Sequence, residues 1–180
     1  MKILLTDKKA LETLEKRFNI NSKQLKTLRK HSKIKQIDLC YSSYTGNAIV
    51  VTTGILKYRT DNAYYKDDNG TVLGAYKILI TSGLKIKIVN YRRDPRIFNH
   101  ICVYFLDNPC FGCNFNEELD KAKLDRNVLF MIYQIINFLE EPGTKSEYYN
   151  INDASQAREI NAKAKSQLDY FKIKYWNEKD

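Results

Sequence analysis

Ala48-Ile-Val-Val-Thr-Thr-Gly-Ile-Leu-Lys-Tyr58 decides how the chain is built. Its β-branched side chains lose rotamer freedom in a helix but sit well on a pleated surface, so the stretch reads as a strand. Gly54 marks the position of a bulge. Upstream, from Ile34 on, the period is already two, with Ile37, Leu39 and Tyr41 alternating with Asp38 and Cys40. Downstream, Tyr64-Tyr65 and Val72 to Ile80 flank Asp67-Asp68-Asn69-Gly70. There Asn-Gly supplies the positive φ angles of a tight hairpin, and the acidic pair reads as turn chemistry rather than a metal cluster. Leu84, Ile86 and Ile88 alternate with Lys85 and Lys87, which predicts one buried and one wet face. Arg96 to Leu106 supplies a last strand, with Ile101, Val103 and Phe105 opposite Cys102 and Tyr104. Five or six consecutive strands with no helix between them predict an antiparallel meander.

Outside this block the period is helical. Ala10, Leu11, Leu14 and Phe18 follow the capping candidates Thr6 and Asp7, and the helix is expected to stop near Asn19. Asn21 and Ser22 offer new caps for a second helix reaching about His31, with Leu25 and Leu28 facing inward. After the strands, Asp125 to Leu139 is apolar on nearly every side and is expected to be the central helix against the sheet. Pro142-Gly143 breaks it. Asp153 and Gln156 then form a capping-box pattern ahead of Ala157, Ile160, Ala164, Leu168, Phe171 and Tyr175, an amphipathic stripe. That last helix packs on its own chain or, ending in Trp176, docks across a homodimer. The expected fold is α+β: an N-terminal helical hairpin, a central antiparallel five- to six-stranded meander, and two C-terminal helices packed on the sheet. Residues 1–36 form a basic appendage of the domain, and 37–180 its α+β core.

A chain of 180 residues with 43% hydrophobic content and three prolines is long and apolar enough to fold around one core. Met1-Lys-Ile-Leu-Leu lacks the apolar stretch of a signal peptide, and no run approaches the length of a membrane span, so a cytoplasmic protein without membrane contact is expected. Four cysteines are then reduced thiols rather than a disulfide framework. The Asn, Ile, Lys and Tyr preference also fits an AT-rich coding sequence, which would account for part of the lysine excess.

The positive charge is concentrated at the front. Residues 1–36 carry 11 Lys and Arg against 3 Asp and Glu, 37–106 carry 9 against 5, and 107–180 carry 10 against 13. Such a field draws polyanions, and it directs attention to the N-terminal helices. Lys23, Lys26, Lys30 and Lys33 repeat along the second helix, with Arg29 beside them. Two short helices joined by Asn19-Ile20-Asn21 match the length pattern of a helix–turn–helix, although an ordinary helical hairpin with a solvated basic face has the same pattern. Tyr91-Arg92-Arg93-Asp94-Pro95-Arg96 adds three guanidinium forks and an aromatic ring in one connection, a combination suited to phosphates and base stacking, with plain solubility as the bland alternative.

One constellation invites metal chemistry. Cys110 and Cys113 form a C-x-x-C after Pro109, and His100 and Cys102 precede them. Four such ligands could close a zinc tetrahedron or the pair could work as a dithiol, but a single C-x-x-C is a weak pattern, and incidental thiols are the leading reading. No metal or cofactor is therefore expected. A zinc deaminase needs His-x-Glu, and here Cys102 stands in place of the Glu. Only two histidines, His31 and His100, leave histidine-based triads without partners, and no phosphate-cradling glycine loop is present.

The sequence therefore points to a small basic cytoplasmic protein, not an enzyme, that engages nucleic acid mainly through phosphates. Lys23, Lys26, Arg29, Lys30, Lys33, Tyr91, Arg92, Arg93 and Arg96 form the expected contact set. The alternative is a protein-binding inhibitor or adaptor, such as a phage or mobile-element factor, that grips an acidic protein surface on a nucleic-acid-handling enzyme. A metal-dependent or dithiol enzyme comes third.

Overall fold

The computed structural model describes residues 7–42, 46–59, 71–91 and 112–140. Helix α1 spans Lys8–Phe18 and α2 spans Ser22–Lys30. Four strands follow, β1 (Ile34–Ser42), β2 (Gly46–Arg59), β3 (Thr71–Thr81) and β4 (Ile86–Asn90). Helices α3 (Gly112–Leu124) and α4 (Val128–Glu140) complete the described residues.

The sheet is an antiparallel meander in the order β1-β2-β3-β4. Among the described residues it has four strands rather than five or six. The strand expected over Arg96–Leu106, the Asp67–Gly70 turn and the stripe from Ala157 to Tyr175 lie outside those residues. The β2–β3 register shifts between Thr52 and Ile55, at the bulge that Gly54 predicts. Thr53 closes the gap there, its hydroxyl accepting from Tyr76 N at 2.9 Å while donating to Gly54 O at 2.8 Å.

Alternation sorts the strands into two faces. Ile37, Ile49, Val51, Ile78, Ile80, Ile86 and Ile88 share a face, and they join Leu14, Phe18, Leu25, Leu28 and the apolar side of α4 in one core. The opposite face is also largely buried. Cys40, Ala48, Val50, Leu79 and Val89 form a second cluster bordered by Tyr91, and Asp38 and Lys77 are buried on the same side. The wet face expected of the last of these strands is present in part. Lys85 and Lys87 do keep access to solvent, whereas Val89, at the next position, is 1% exposed.

Helix α4 is the central helix, burying Val128, Met131, Ile132, Ile135, Ile136, Phe138 and Leu139. It begins at Val128, where the apolar run starts, three residues after the expected start at Asp125. Arg126 takes a left-handed conformation (φ 51°), and Asn127 caps the helix by accepting from Phe130 N at 3.1 Å. Nothing in the sequence pattern singles out helix α3: Leu119 and Ala122 are buried among Glu117, Glu118, Asp120, Lys121 and Lys123, too sparse a period to stand out. No described helix is long and apolar enough to cross a membrane.

Candidate nucleic-acid interface

The N-terminal helices are built from local chemistry that leaves little freedom in the turn between them. Asp7 caps α1, accepting from Ala10 N at 3.0 Å. The helix ends at Asn19 in the left-handed region (φ 53°), which asparagine tolerates better than most residues. Asn19 N–H donates to Glu15 O and Ile20 N–H to Leu14 O, which closes the last turn of the helix. A cation from elsewhere joins them, with Arg126 Nη2 donating to Arg17 O at 3.2 Å. Ile20, in the middle of the turn, is 1% exposed and locks it to the core. Asn21 then starts α2 with a reciprocal capping box. Its side chain accepts from Gln24 N at 2.9 Å, and the Gln24 side chain accepts from Asn21 N at 2.9 Å.

Helix α2 divides cleanly. Leu25 and Leu28 are fully buried, whereas Ser22, Lys23, Lys26, Thr27 and Lys30 are exposed. At about 100° per residue the lysines at 23, 26 and 30 fall within roughly 60° of arc, nearly opposite the two leucines. Burying those leucines contributes about 1.5–3 kcal/mol each, which exceeds any ion pair at the surface and fixes which way the lysines point. Arg29 is half-buried at the edge of this face.

Lys33, assigned by its spacing to the same stripe, is engaged elsewhere. Its ammonium pairs with Glu140 at the end of α4. Next to it the His31 ring lies 5.3 Å from the Tyr133 ring, tilted by 32°, and His31 Nδ1 accepts from Lys33 N at 3.3 Å. The C-terminal end of α2 is thus moored to α4, and the exposed stripe comprises Lys23, Lys26 and Lys30.

Charge spacing along the helices overlooks a longer feature. From Lys16 to Lys35 the chain carries eight Lys and Arg and no Asp or Glu. Lys16, Arg17 and Lys35 are exposed and extend the basic surface at both ends of α2. The exposed side of α1, by contrast, mixes Lys8, Lys9 and Lys16 with Glu12 and Glu15. The signal that finds Lys16, Arg17 and Lys35 is the absence of acidic residues rather than a helical repeat.

Tyr91 lies just beyond β4, apart from the basic helices in sequence and on the side of the second cluster. Its hydroxyl donates to Thr53 O at 2.8 Å and its amide to Ala75 O at 2.8 Å. Lys77 Nζ stands 6.0 Å from the centroid of its ring, and partial burial pushes its phenol pKa up. The hydroxyl and the amide thus tie Tyr91 to the sheet, while its ring keeps partial access to solvent. Arg92, Arg93 and Arg96 lie outside the described residues.

The metal candidates are also mostly outside them: His100, Cys102 and Cys110 are not among the described residues, and Cys113 is placed only as the second residue of α3. Among the described residues no three His, Cys, Asp or Glu side chains gather to hold a metal ion. Cys40 is buried, its thiol donating to Ala48 O at 3.5 Å.

The fold and this face define a class, an α+β protein with a basic helical pair on an antiparallel meander. Compared with family models, curated proteins and solved structures, the chain finds no match in any of the three.

Proposed function

We propose that the protein binds nucleic acid, and that the exposed side of α2 is its principal contact. The observation that supports this most directly is the position of Lys23, Lys26 and Lys30 on one exposed arc, opposite buried Leu25 and Leu28, on a helix with no acidic residue. Lysines held this way displace counterions from a phosphate backbone with little loss of helix order, because the helix is already fixed by its core side. Lys16, Arg17 and Lys35 widen the field, and Arg29 adds a guanidinium at its edge. Arg92, Arg93 and Arg96 form the second part of the proposed contact. Glu140 neutralises Lys33 and so marks a boundary of the face.

Fluorescence anisotropy with labelled DNA and RNA, repeated over a salt series, tests this reading. Binding should weaken steeply and linearly on a log–log plot as salt rises. No binding to either polymer at low salt would reject the proposal and leave the acidic protein surface as the partner to seek by the same charge.

A further inference from the structure

The turn between α1 and α2 does more than join two basic helices. Asn19 reverses the chain through a left-handed residue, Ile20 drops into the core, and Asn21 opens α2 with both bonds of a capping box. Leu14 and Phe18 before the turn, Ile20 within it, and Leu25 and Leu28 after it are all 1% exposed or less and belong to one core. The result is two short helices each anchored to one core, with the solvent side of the second left open. A helix–turn–helix requires this construction.

The exposed side of α2 also has the composition that groove reading needs. Besides the lysines it presents two hydroxyls, Ser22 at its N-terminus, where recognition helices meet base edges, and Thr27 just past its middle. Thr27 Oγ1 donates to Lys23 O at 3.1 Å, which leaves its lone pairs to accept. A helix with side chains is about 10–12 Å across, close to the width of the B-form major groove, and nine residues run about 13 Å along it. Lys16 and Arg17 are exposed in the last turn of α1, the helix that in such a motif crosses the DNA backbone.

We infer that α2 is a recognition helix seated in the major groove of duplex DNA, with the hydroxyls of Ser22 and Thr27 at base edges and the longer Lys23, Lys26 and Lys30, together with Lys16 and Arg17, reaching the phosphates. This rests on the proposed nucleic-acid binding and narrows it. A-form RNA has a deep, narrow major groove that a helix cannot enter, so a groove-seated α2 discriminates between two duplexes of equal charge density.

The test uses the full chain with duplex DNA of about two helical turns, the duplex RNA of matching sequence, and the single strands, all at one salt concentration. Duplex DNA is expected to bind more tightly than duplex RNA by roughly tenfold or more, equivalent to about 1.4 kcal/mol. Guanine N7 positions, which face the major groove, should be protected from methylation in the complex. Thr27→Ala should reduce the DNA preference while leaving the thermal midpoint in place, since the position is exposed. Equal affinity for both duplexes without N7 protection would overturn the groove assignment and leave phosphate binding intact. Absence of binding to every probe would overturn both.

Discussion

Lys33 and Glu140 pair across 107 residues of sequence, joining the turn after α2 to the last residue of α4. The pair fixes the end of the basic helix on the sheet-covering helix and removes one cation from the exposed stripe. Both side chains keep contact with solvent, at 39% and 20% exposure, so the pair contributes at most about 1 kcal/mol to stability. Its larger consequence is for charge.

Glu140→Gln should release Lys33 and enlarge the basic face. Affinity for nucleic acid is expected to rise by roughly two- to threefold, and the salt slope to steepen by up to about 0.9, the value for one further phosphate contact. The thermal midpoint should fall by little. Anisotropy over a salt series checks this, and an unchanged slope would place Lys33 outside the contact.

The turn makes a sharper prediction about backbone. Asn19 holds φ 53° and is exposed, so its side chain matters mainly through the conformation it permits. Asn19→Gly should leave stability unchanged or raised, whereas Asn19→Val should cost about 1–2 kcal/mol, as a β-branched residue resists the left-handed region. Denaturant unfolding of both variants measures the difference. Equal stabilities would mean that the turn adjusts its φ without cost.

Gly74 makes room for Tyr76. A methyl group at Gly74 would overlap Oη and Cζ of the Tyr76 ring and lie 2.7 Å from Cε2. The ring is 1% exposed and walled in by the core, so it cannot swing away. Gly74→Ala should therefore destabilise by about 1–3 kcal/mol. In a Tyr76→Leu background the same change should cost much less, because the two sites share one space. An equal cost in both backgrounds would show that the strain lies in the backbone of β3.

Alkaline pH should weaken the fold in part through Cys40. Burial in the second cluster, the largest cause, pushes its thiol pKa up from 9.0 to about 11. The folded state thus binds the proton more tightly than the unfolded chain. The resulting stability is fully present below pH 9 and is lost as pH rises toward 11. Burial of Tyr76 and Tyr91 acts in the same direction, so the thiol is isolated by comparison with Cys40→Ala. The stability difference between wild type and variant should shrink between pH 9 and 11 by roughly 2–3 kcal/mol. A constant difference across that range would show that Cys40 does not titrate with unfolding.

Much of this fold is legible in the chain, for reasons that differ by element. Strands β1 to β4 announce themselves through β-branched alternation, and α4 through an apolar run that no strand arrangement needs. The caps at Asp7 and Asn21 follow from short polar side chains ahead of helical periods. Helix α3 does not, because Leu119 and Ala122, buried among Glu117, Glu118, Asp120, Lys121 and Lys123, are too few to mark a helical period. The burial of the sheet's second face does not show in the alternation, which reports polarity rather than exposure: Asp38 is 1% exposed and lies beside Cys40 and Val50. In the candidate site, Lys23, Lys26 and Lys30 stand where their spacing puts them. The engagement of Lys33 by Glu140 is a tertiary contact that no local pattern encodes.

The central claim is that the open side of α2 meets nucleic acid. It is tested most directly by the salt dependence of DNA binding for the wild type and for the triple variant Lys23→Gln, Lys26→Gln, Lys30→Gln. Glutamine keeps helix propensity, and all three positions are exposed, so the thermal midpoint should hold. The variant is expected to bind more weakly, with a log–log slope shallower by about 0.9 for each phosphate contact removed. A folded variant with wild-type affinity and wild-type slope would contradict the account.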